Sequence, residues 1–158
     1  MLNNAAACAK VTPDRLSDRI TELQKQVKEL QGEISRIKSE EAKQSLGDID
    51  VQEVNGIKLV AKGVKDLDMN QLRELGDQIK DTIKDGVVVL ACESDGKVNL
   101  IVTATDCAVK KGVNAGNIIK NLAPIVGGGG GGRPNMAQAG GKDPSGIPEL
   151  LNRAKEFI

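Results

Sequence analysis

A heptad repeat of apolar residues near the start of the chain constrains the fold more than any other feature. Over "LSDRITELQKQVKELQGEISRIK" the apolar side chains recur in alternating steps of four and three residues. β-Branched residues occupy one core position of the repeat, and Leu or Ile occupies the other. This pattern predicts a long helix that pairs with another helix, in a second copy or elsewhere in the same protein. The seam consists of Leu16, Ile20, Leu23, Val27, Leu30, Ile34 and Ile37.

The sequence also marks where this helix begins. Thr12 can cap it, Pro13 suits the first helical position, and Asp14 favours the positive end of the helix. We therefore predict a coiled-coil helix over residues 12–45. The residues before it, 1–11, are typical of the tail of an earlier helix, which predicts the remnant of an antiparallel helical hairpin.

Residues 46–158 alternate between strand-like and helical patterns and predict a globular domain. "IDVQEVNGIKLVAKGV" reads as two strands joined by an Asn-Gly turn, the strongest short signal for a hairpin. "GVVVLACESDGKVNLIVTAT" predicts a second hairpin. Val87–Ala91 is apolar at every position, which indicates a central strand covered on both faces. A roughly four-stranded sheet follows from these runs.

Three helices are predicted around this sheet. Asp68 and Gln71 form a capping pair for the first, which Gly86 is expected to stop. Asn114 caps the second and Pro124 ends it, and "SGIPELLNRAKEFI" predicts a final amphipathic helix. The predicted fold class is α+β, with a long N-terminal coiled-coil helix followed by a ββαββαα domain and a Gly-rich loop.

The composition argues against several function classes. There is no histidine among the 158 residues, so the commonest general base and the commonest zinc ligand are both missing. Phe157 is the only aromatic residue, which argues against recognition by stacking bases on rings. Cys8, Cys92 and Cys107 lack metal-ligand spacing, Cys92 reads as a buried thiol, and a reduced, cytoplasmic setting is expected. No apolar run is long enough for a membrane span, and no signal peptide is visible.

Charge cancels over the whole chain but not along it, with 22 Lys and Arg against 22 Asp and Glu. Residues 1–95 carry a net charge of −4 and residues 96–158 a net charge of +4. Within residues 96–142 six basic side chains accompany Asp106 alone. This local excess surrounds a glycine run and would attract a polyanion, although a scattered solvated surface is the alternative.

That glycine run lies in "IVGGGGGGRPNMAQAGGK", which holds eight of the 18 glycines. Glycine lets a ligand approach backbone amides closely, and successive N–H groups can form a nest for phosphate. Known nucleotide motifs do not fit, because the run lacks a Gly-Lys-[Ser/Thr] ending and follows a helix rather than a strand. A flexible linker is the alternative, since ordering six consecutive glycines costs much conformational entropy.

The stretch "VGGGGGGRPNMAQAGG" closely resembles the signature near the C-terminus of bacterial alanine–tRNA ligases (alanyl-tRNA synthetases). The heptad helix, "GIKLVAKGV" and "VVVLACESDGKVNLIVTAT" match the same family in the same order, so the resemblance covers essentially the whole chain. It also relates residues 46–158 to the domain associated with DHH phosphoesterases. Those enzymes usually carry a histidine after the glycines, and Arg133-Pro134 here favours the synthetase family.

The resemblance implies a non-catalytic C-terminal module that binds the outer corner of tRNA and supports aminoacylation, editing and self-association. It implies no cofactor for this part, because ATP, Mg²⁺ and zinc would belong to other domains of the synthetase. The implied partners are tRNA, those other domains and a second copy joined through the heptad helix, with no membrane. The implied tRNA-binding residues are Gly127, Gly128, Gly129, Gly130, Gly131, Gly132, Arg133, Asn135, Gln138, Gly140 and Gly141. Charge adds Lys110, Lys111 and Lys142, which would supply delocalised attraction.

Arg133 is the strongest single candidate, because a guanidinium makes charge-assisted contacts to phosphate. Lys110 and Lys111 also fit a solvated turn, and Gln138 can instead bind carbonyls of its own loop. Two other functions fit the sequence: the substrate-binding domain of a DHH-type phosphoesterase, and a coiled-coil oligomerisation module whose glycine loop is passive.

Overall fold

The computed structural model describes residue 10, residues 12–44 and residues 49–158. The chain forms two compact units that divide between Lys38 and Ser39. The predicted helical remnant, residues 1–11, lies outside the described residues except for Lys10, which is in a turn. None of the described helices combines the length and the apolar character needed to cross a bilayer.

Helix α1 spans Leu16–Gln44 and follows a 3-10 turn at Pro13–Arg15. Within the described residues the Thr12 hydroxyl makes no capping hydrogen bond, so the prediction of a side-chain cap is wrong. The Thr12 carbonyl instead accepts a hydrogen bond from the Arg15 amide at 3.0 Å, which closes the tight first turn. That turn tolerates Pro13 because the first N–H groups of a helix have no intrahelical partner.

The heptad seam of α1 lies on the surface of the chain. Val27 is 52% exposed and Leu30 is 57% exposed, and the other seam residues from Ile20 to Ile37 are exposed as well. Leu16, at the start, is half-buried. An apolar stripe of this length is available for a partner helix.

The second unit is built on a six-stranded sheet with the order β1-β2-β3-β4-β6-β5. Strands β2 and β3 are parallel, and every other neighbouring pair is antiparallel. The four predicted strands are present, and the glycine segment adds two more, so the prediction of four strands is corrected to six. The strands are β1 Val51–Val54, β2 Ile57–Lys65, β3 Gly86–Ser94, β4 Lys97–Ala104, β5 Gly129–Arg133 and β6 Met136–Gly141.

Both predicted hairpin turns are confirmed. Asn55 and Gly56 have φ values of 52° and 75°, and Asp95 and Gly96 have φ values of 51° and 71°. Two consecutive residues in the left-handed region are the requirement of the tight turn whose twist matches that of the flanking strands.

Helix α2 spans Met69–Ile83, and its predicted capping box is confirmed. The Asp68 carboxylate accepts a hydrogen bond from the Gln71 amide at 2.8 Å, and the Gln71 side chain accepts one from the Asp68 amide at 3.0 Å. These two bonds satisfy donors that the helix itself leaves unpaired.

Gly86 does not stop α2, contrary to the prediction. The helix ends at Ile83, and Lys84 takes a positive φ of 61°. Gly86 is instead the first residue of β3, where a Cβ atom would clash with the carbonyl of Lys58 on β2. Close packing of two strands, rather than a helix cap, requires glycine there.

Three further helices lie in the second unit. Helix α3, Asp106–Lys110, is too short to be seen in the sequence pattern. Helix α4 spans Ala115–Leu122, and the predicted cap is confirmed by the Asn114 side chain, which accepts from the Asn117 amide at 3.2 Å. The helix ends at Leu122 rather than at Pro124, which lies in a 3-10 turn over Ala123–Val126. The final amphipathic helix is α5, Ile147–Arg153.

Helices cover both faces of the central strands. Helix α2 packs over side chains such as Val88 and Leu90, while α4 and α5 pack over Val89 and Leu100 on the opposite face. Val87–Ala91 is fully buried, which confirms the predicted central strand. Each such side chain contributes about 1.5–3 kcal/mol of hydrophobic stabilisation. Helix α2 lies over β3 and β4. On the same face of the sheet, Gln138 and Gly140 of the outer hairpin, β5 and β6, are exposed.

Candidate nucleic-acid interface

The glycine segment is a β-hairpin rather than a loop. In its register Gly131 lies opposite Gln138 and Arg133 lies opposite Met136, and β6 continues into the sheet by pairing with β4. The flexible-linker alternative is therefore wrong. Within β5 and β6 a phosphate nest does not form, because an antiparallel strand points alternate N–H groups to opposite sides and they do not converge on one anion.

The turn of this hairpin is held from two directions. The Ala104 amide at the end of β4 donates to the Asn135 carbonyl at 2.9 Å, and the Ala115 amide at the start of α4 donates to the Pro134 carbonyl at 2.9 Å. These bonds fix the turn against both the sheet and a helix. Arg133 and Asn135 thus extend from a positioned backbone.

Five of the eight glycines in this segment are required by the fold itself. Gly127 ends the 3-10 turn with a positive φ of 61°. The others lie where a side chain has no room: a Cβ atom on Gly130 would clash with the Gln138 carbonyl, and one on Gly141 would lie 2.5 Å from the Val126 carbonyl. This packed set consists of Gly128, Gly130, Gly132 and Gly141.

The remaining three glycines face the other way, into open space. A Cβ atom on Gly129 or Gly131 would meet no atom within 4 Å, and one on Gly140 would meet only the Val98 carbonyl at 4.0 Å. None of the three has a positive φ. Glycine lowers the stability of a strand because it adds entropy to the unfolded chain and packs no side chain. Neither space nor backbone conformation explains its use at these positions.

We call this surface the glycine face: Gly129, Gly131 and Gly140, together with Arg133, Met136 and Gln138, which the register places on the same side of the hairpin. A groove of about 340 Å³ lies at the turn end of this face, next to Gly131, Arg133, Met136 and Gln138. Among the described residues that line this groove, two are positively charged and none is negatively charged. Its lining consists of Arg73, Gly131, Gly132, Arg133, Asn135, Met136, Ala137 and Gln138.

Arg73 of α2 is the one charged residue of this groove that the sequence analysis did not identify. Its Nη2 atom donates to the Oε1 atom of Gln138 at 3.0 Å, although the two residues are 65 positions apart in the chain. No local motif marks Arg73, since only the folding of α2 over the sheet brings it to the hairpin. Guanidinium groups and side-chain amides together suit phosphates, ribose hydroxyls and base edges.

The three predicted lysines do not line this groove. The Lys111 ammonium lies 2.6 Å from the Asp85 carboxylate and donates to the Gly56 carbonyl at 3.2 Å, so it ties the end of α3 to the first hairpin turn. Lys110 is exposed at the end of α3. Lys142 is exposed directly after β6, at the end of the hairpin away from Arg133.

Comparison with known proteins places this fold in a family. The DHHA1 domain family matches residues 56–158, which include strands β2 to β6 and therefore the whole glycine hairpin. The chain belongs to the DHHA1 domain family. The crystal structure of the C-Ala domain from Aquifex aeolicus alanyl-tRNA synthetase superposes with a TM-score of 0.64 at 29% identity, covering 69% of this chain and 97% of that one. The predicted α+β class is confirmed by that match.

Curated relatives of this DHHA1 chain are alanine–tRNA ligases. Alanine–tRNA ligase 1 of Lachnoclostridium phytofermentans is 52% identical over 99% of the chain. The alanine–tRNA ligase of Oceanobacillus iheyensis is 40% identical over 100% of it, and that of Acetivibrio thermocellus 44% over 100%. The chain spans 18% of the length of each of these relatives. The resemblance to the C-terminal domain of alanyl-tRNA synthetases is confirmed.

Proposed function

We propose that this chain is a tRNA-binding module whose glycine face receives the sugar–phosphate backbone of the RNA. The observation that carries the proposal is the open space above Gly129 and Gly131, where the fold itself does not require glycine. A strand without side chains lets a ligand reach van der Waals contact with the protein backbone. The relation to alanine–tRNA ligases supports tRNA as that ligand.

The groups around the glycine face suit the chemistry of RNA. Arg133 supplies a charge-assisted contact to phosphate, and Asn135 offers its amide group to ribose hydroxyls or base edges. Lys110, Lys111 and Lys142 add attraction at longer range, which is weaker for Lys111 because Asp85 neutralises it. The packed glycines hold the hairpin in shape without touching the RNA.

In the parent synthetase the module acts in the cytoplasm without catalytic groups or cofactors of its own. It holds the outer corner of tRNA and helps to present the acceptor end to the aminoacylation and editing domains. The whole enzyme's use of ATP, Mg²⁺ and zinc would reside in those other domains. Binding energy from a remote part of a substrate supports catalysis by holding the reacting end in position.

A second function, self-association, is favoured by the exposed seam of α1. Leu23 to Ile37 present a continuous apolar stripe with Leu and Ile or Val at alternating core positions. Such a stripe is stable in water when another helix covers it. We infer that two copies pair through α1.

The direct test of RNA binding is to fill the open space. Gly131→Val adds a β-branched side chain that strands favour, so the variant should melt no lower than the wild type. It should bind a tRNA transcript about tenfold more weakly or worse, because a loss of roughly 1.4 kcal/mol in contacts corresponds to tenfold. Gln52→Val in β1 is the control for an exposed valine on the sheet, since it places the same side chain at an exposed position on the far edge. Equal affinity of Gly131→Val and wild type would overturn the proposal.

A further inference from the structure

We propose that Arg73 is a second cationic contact of the glycine face and that Gln138 holds it in position for an RNA phosphate. This inference rests on the proposed function and extends it to a residue of α2, outside both the glycine segment and the basic window of residues 96–142. The geometry has three components: the groove, the hydrogen bond between the two side chains, and the charge that this bond leaves uncompensated.

The position of Arg73 follows from the packing of α2. One side of the helix is buried in the core and contains Leu72, Leu75 and Gly76. A Cβ atom added to Gly76 would lie 3.5 Å from the side chain of Thr103 on β4. Arg73 lies at the exposed margin of that side and lines the groove together with Gly131. The packing of α2 on β3 and β4 therefore brings the guanidinium to the outer hairpin.

The partner of Arg73 is an amide, not a carboxylate. Gln138 lies directly opposite Gly131 in the β5–β6 register, so the hydrogen bond at 3.0 Å places the guanidinium beside the bare strand. Elsewhere in the chain Arg19 and Arg153 form ion pairs with glutamates. Within the described residues no carboxylate lies within 4 Å of the Arg73 guanidinium, so its charge is held but not neutralised.

Such an arrangement suits a phosphodiester. A guanidinium has five N–H donors, and the bond to Gln138 uses one of them, so a fork remains to bind two phosphate oxygens. Arg133 lines the same groove from the hairpin side. An RNA strand lying on the glycine face would thus meet one arginine from the sheet and one from the helix. Gln138 fixes the second before the RNA arrives, which lowers the entropy cost of binding.

The experiment measures tRNA affinity and its salt dependence for Arg73→Ala, Arg73→Lys, Gln138→Ala and the double variant Arg73→Ala with Gln138→Ala. Wild type should show a slope of log affinity against log salt of about −3 to −5, for four to six neutralised phosphates. Arg73→Ala should bind about tenfold more weakly with a slope shallower by about one. Arg73→Lys should keep the slope and recover part of the affinity, because the charge remains and the fork is lost. Arg153→Ala, which removes an arginine from α5, is the control with unchanged slope.

The double variant tests the role of Gln138. If Gln138 acts by holding Arg73, the double variant should bind no more weakly than Arg73→Ala alone. Additive losses would assign Gln138 an independent contact and overturn its positioning role.

An affinity loss in Arg73→Ala with an unchanged salt slope would show a structural effect and overturn the assignment of Arg73, and so would wild-type affinity of Arg73→Ala. If Arg133→Ala weakens binding while Arg73→Ala does not, this inference fails and the proposed function stands; if wild type does not bind tRNA, the proposed function itself fails.

Discussion

Gly130 and Gly131 are neighbours in one strand, yet their surroundings give them opposite tolerance to substitution. A Cβ atom on Gly130 would clash with the carbonyl of Gln138 and the side chain of Ala139, whereas one on Gly131 would meet nothing within 4 Å. The fold therefore leaves no room for a side chain at Gly130, whereas no described residue occupies the space into which a side chain at Gly131 would extend. This contrast separates the glycines that shape the hairpin from those that leave its surface bare.

Alanine at each position should separate the two roles by stability alone. Gly131→Ala should unfold at the same or higher urea concentration, with a gain of up to about 1 kcal/mol, because alanine restricts the unfolded chain. Gly130→Ala should lose about 1–3 kcal/mol, because the strand pair must shift to admit the methyl group. Urea unfolding followed by circular dichroism measures both. Equal midpoints for the two variants would contradict the assignment of packed and open faces.

At the scale of the elements, the local signals of the sequence suffice for most of the fold. The turn residues of the first two hairpins, the capping box of α2 and the Asn114 cap of α4 each act over a few residues. Strand β5 carries no such signal, since glycine has low strand propensity and leaves no alternation to read. In β6 the only signal is a short alternation of buried Ala137 and Ala139 with exposed Gln138. The strand conformation of β5 and β6 comes from pairing with β4 and from the hydrogen bond to α4, which are long-range contacts.

The candidate site divides in the same way. Arg133, Asn135 and Gln138 could be found from the sequence because they adjoin the glycine run. The separation of open from packed glycines required the register of the hairpin, and Arg73 required the placement of α2. Charge alone associates Lys111 with the site in the sequence, whereas its ion pair with Asp85 joins side chains 26 residues apart.

Helix α1 makes its own prediction. Val27→Lys with Ile34→Lys puts two charges into the seam, at positions 52% and 53% exposed in the single chain. If two copies pair through α1, sedimentation equilibrium should show a dimer for wild type and a monomer for the variant, because charges at core positions oppose pairing. Glu29→Lys, outside the seam, is the control and should leave the dimer intact. A wild-type chain that stays monomeric at high concentration would contradict pairing between copies.

At the scale of the whole molecule the formal charge is zero, so attraction of RNA depends on where the charges lie. In the folded chain the Lys111 ammonium pairs with the Asp85 carboxylate, while Arg73 and Arg133 line the same groove at the glycine face. The sheet thus carries a groove with two uncompensated arginines at one edge. Its other edge, β1, lies at the far end of the strand order.

The most direct test of the account maps where RNA touches the folded chain. Amide NMR signals of the ¹⁵N-labelled protein would be followed during titration with a tRNA transcript. The largest shifts and broadening should fall on β5, β6 and the start of α2, including Gly129, Gly131, Gln138 and Arg73, with β1 unchanged. Perturbations confined to α3 and α5, with the signals of the glycine hairpin unmoved at saturation, would contradict the claim that the open glycine face is the docking surface.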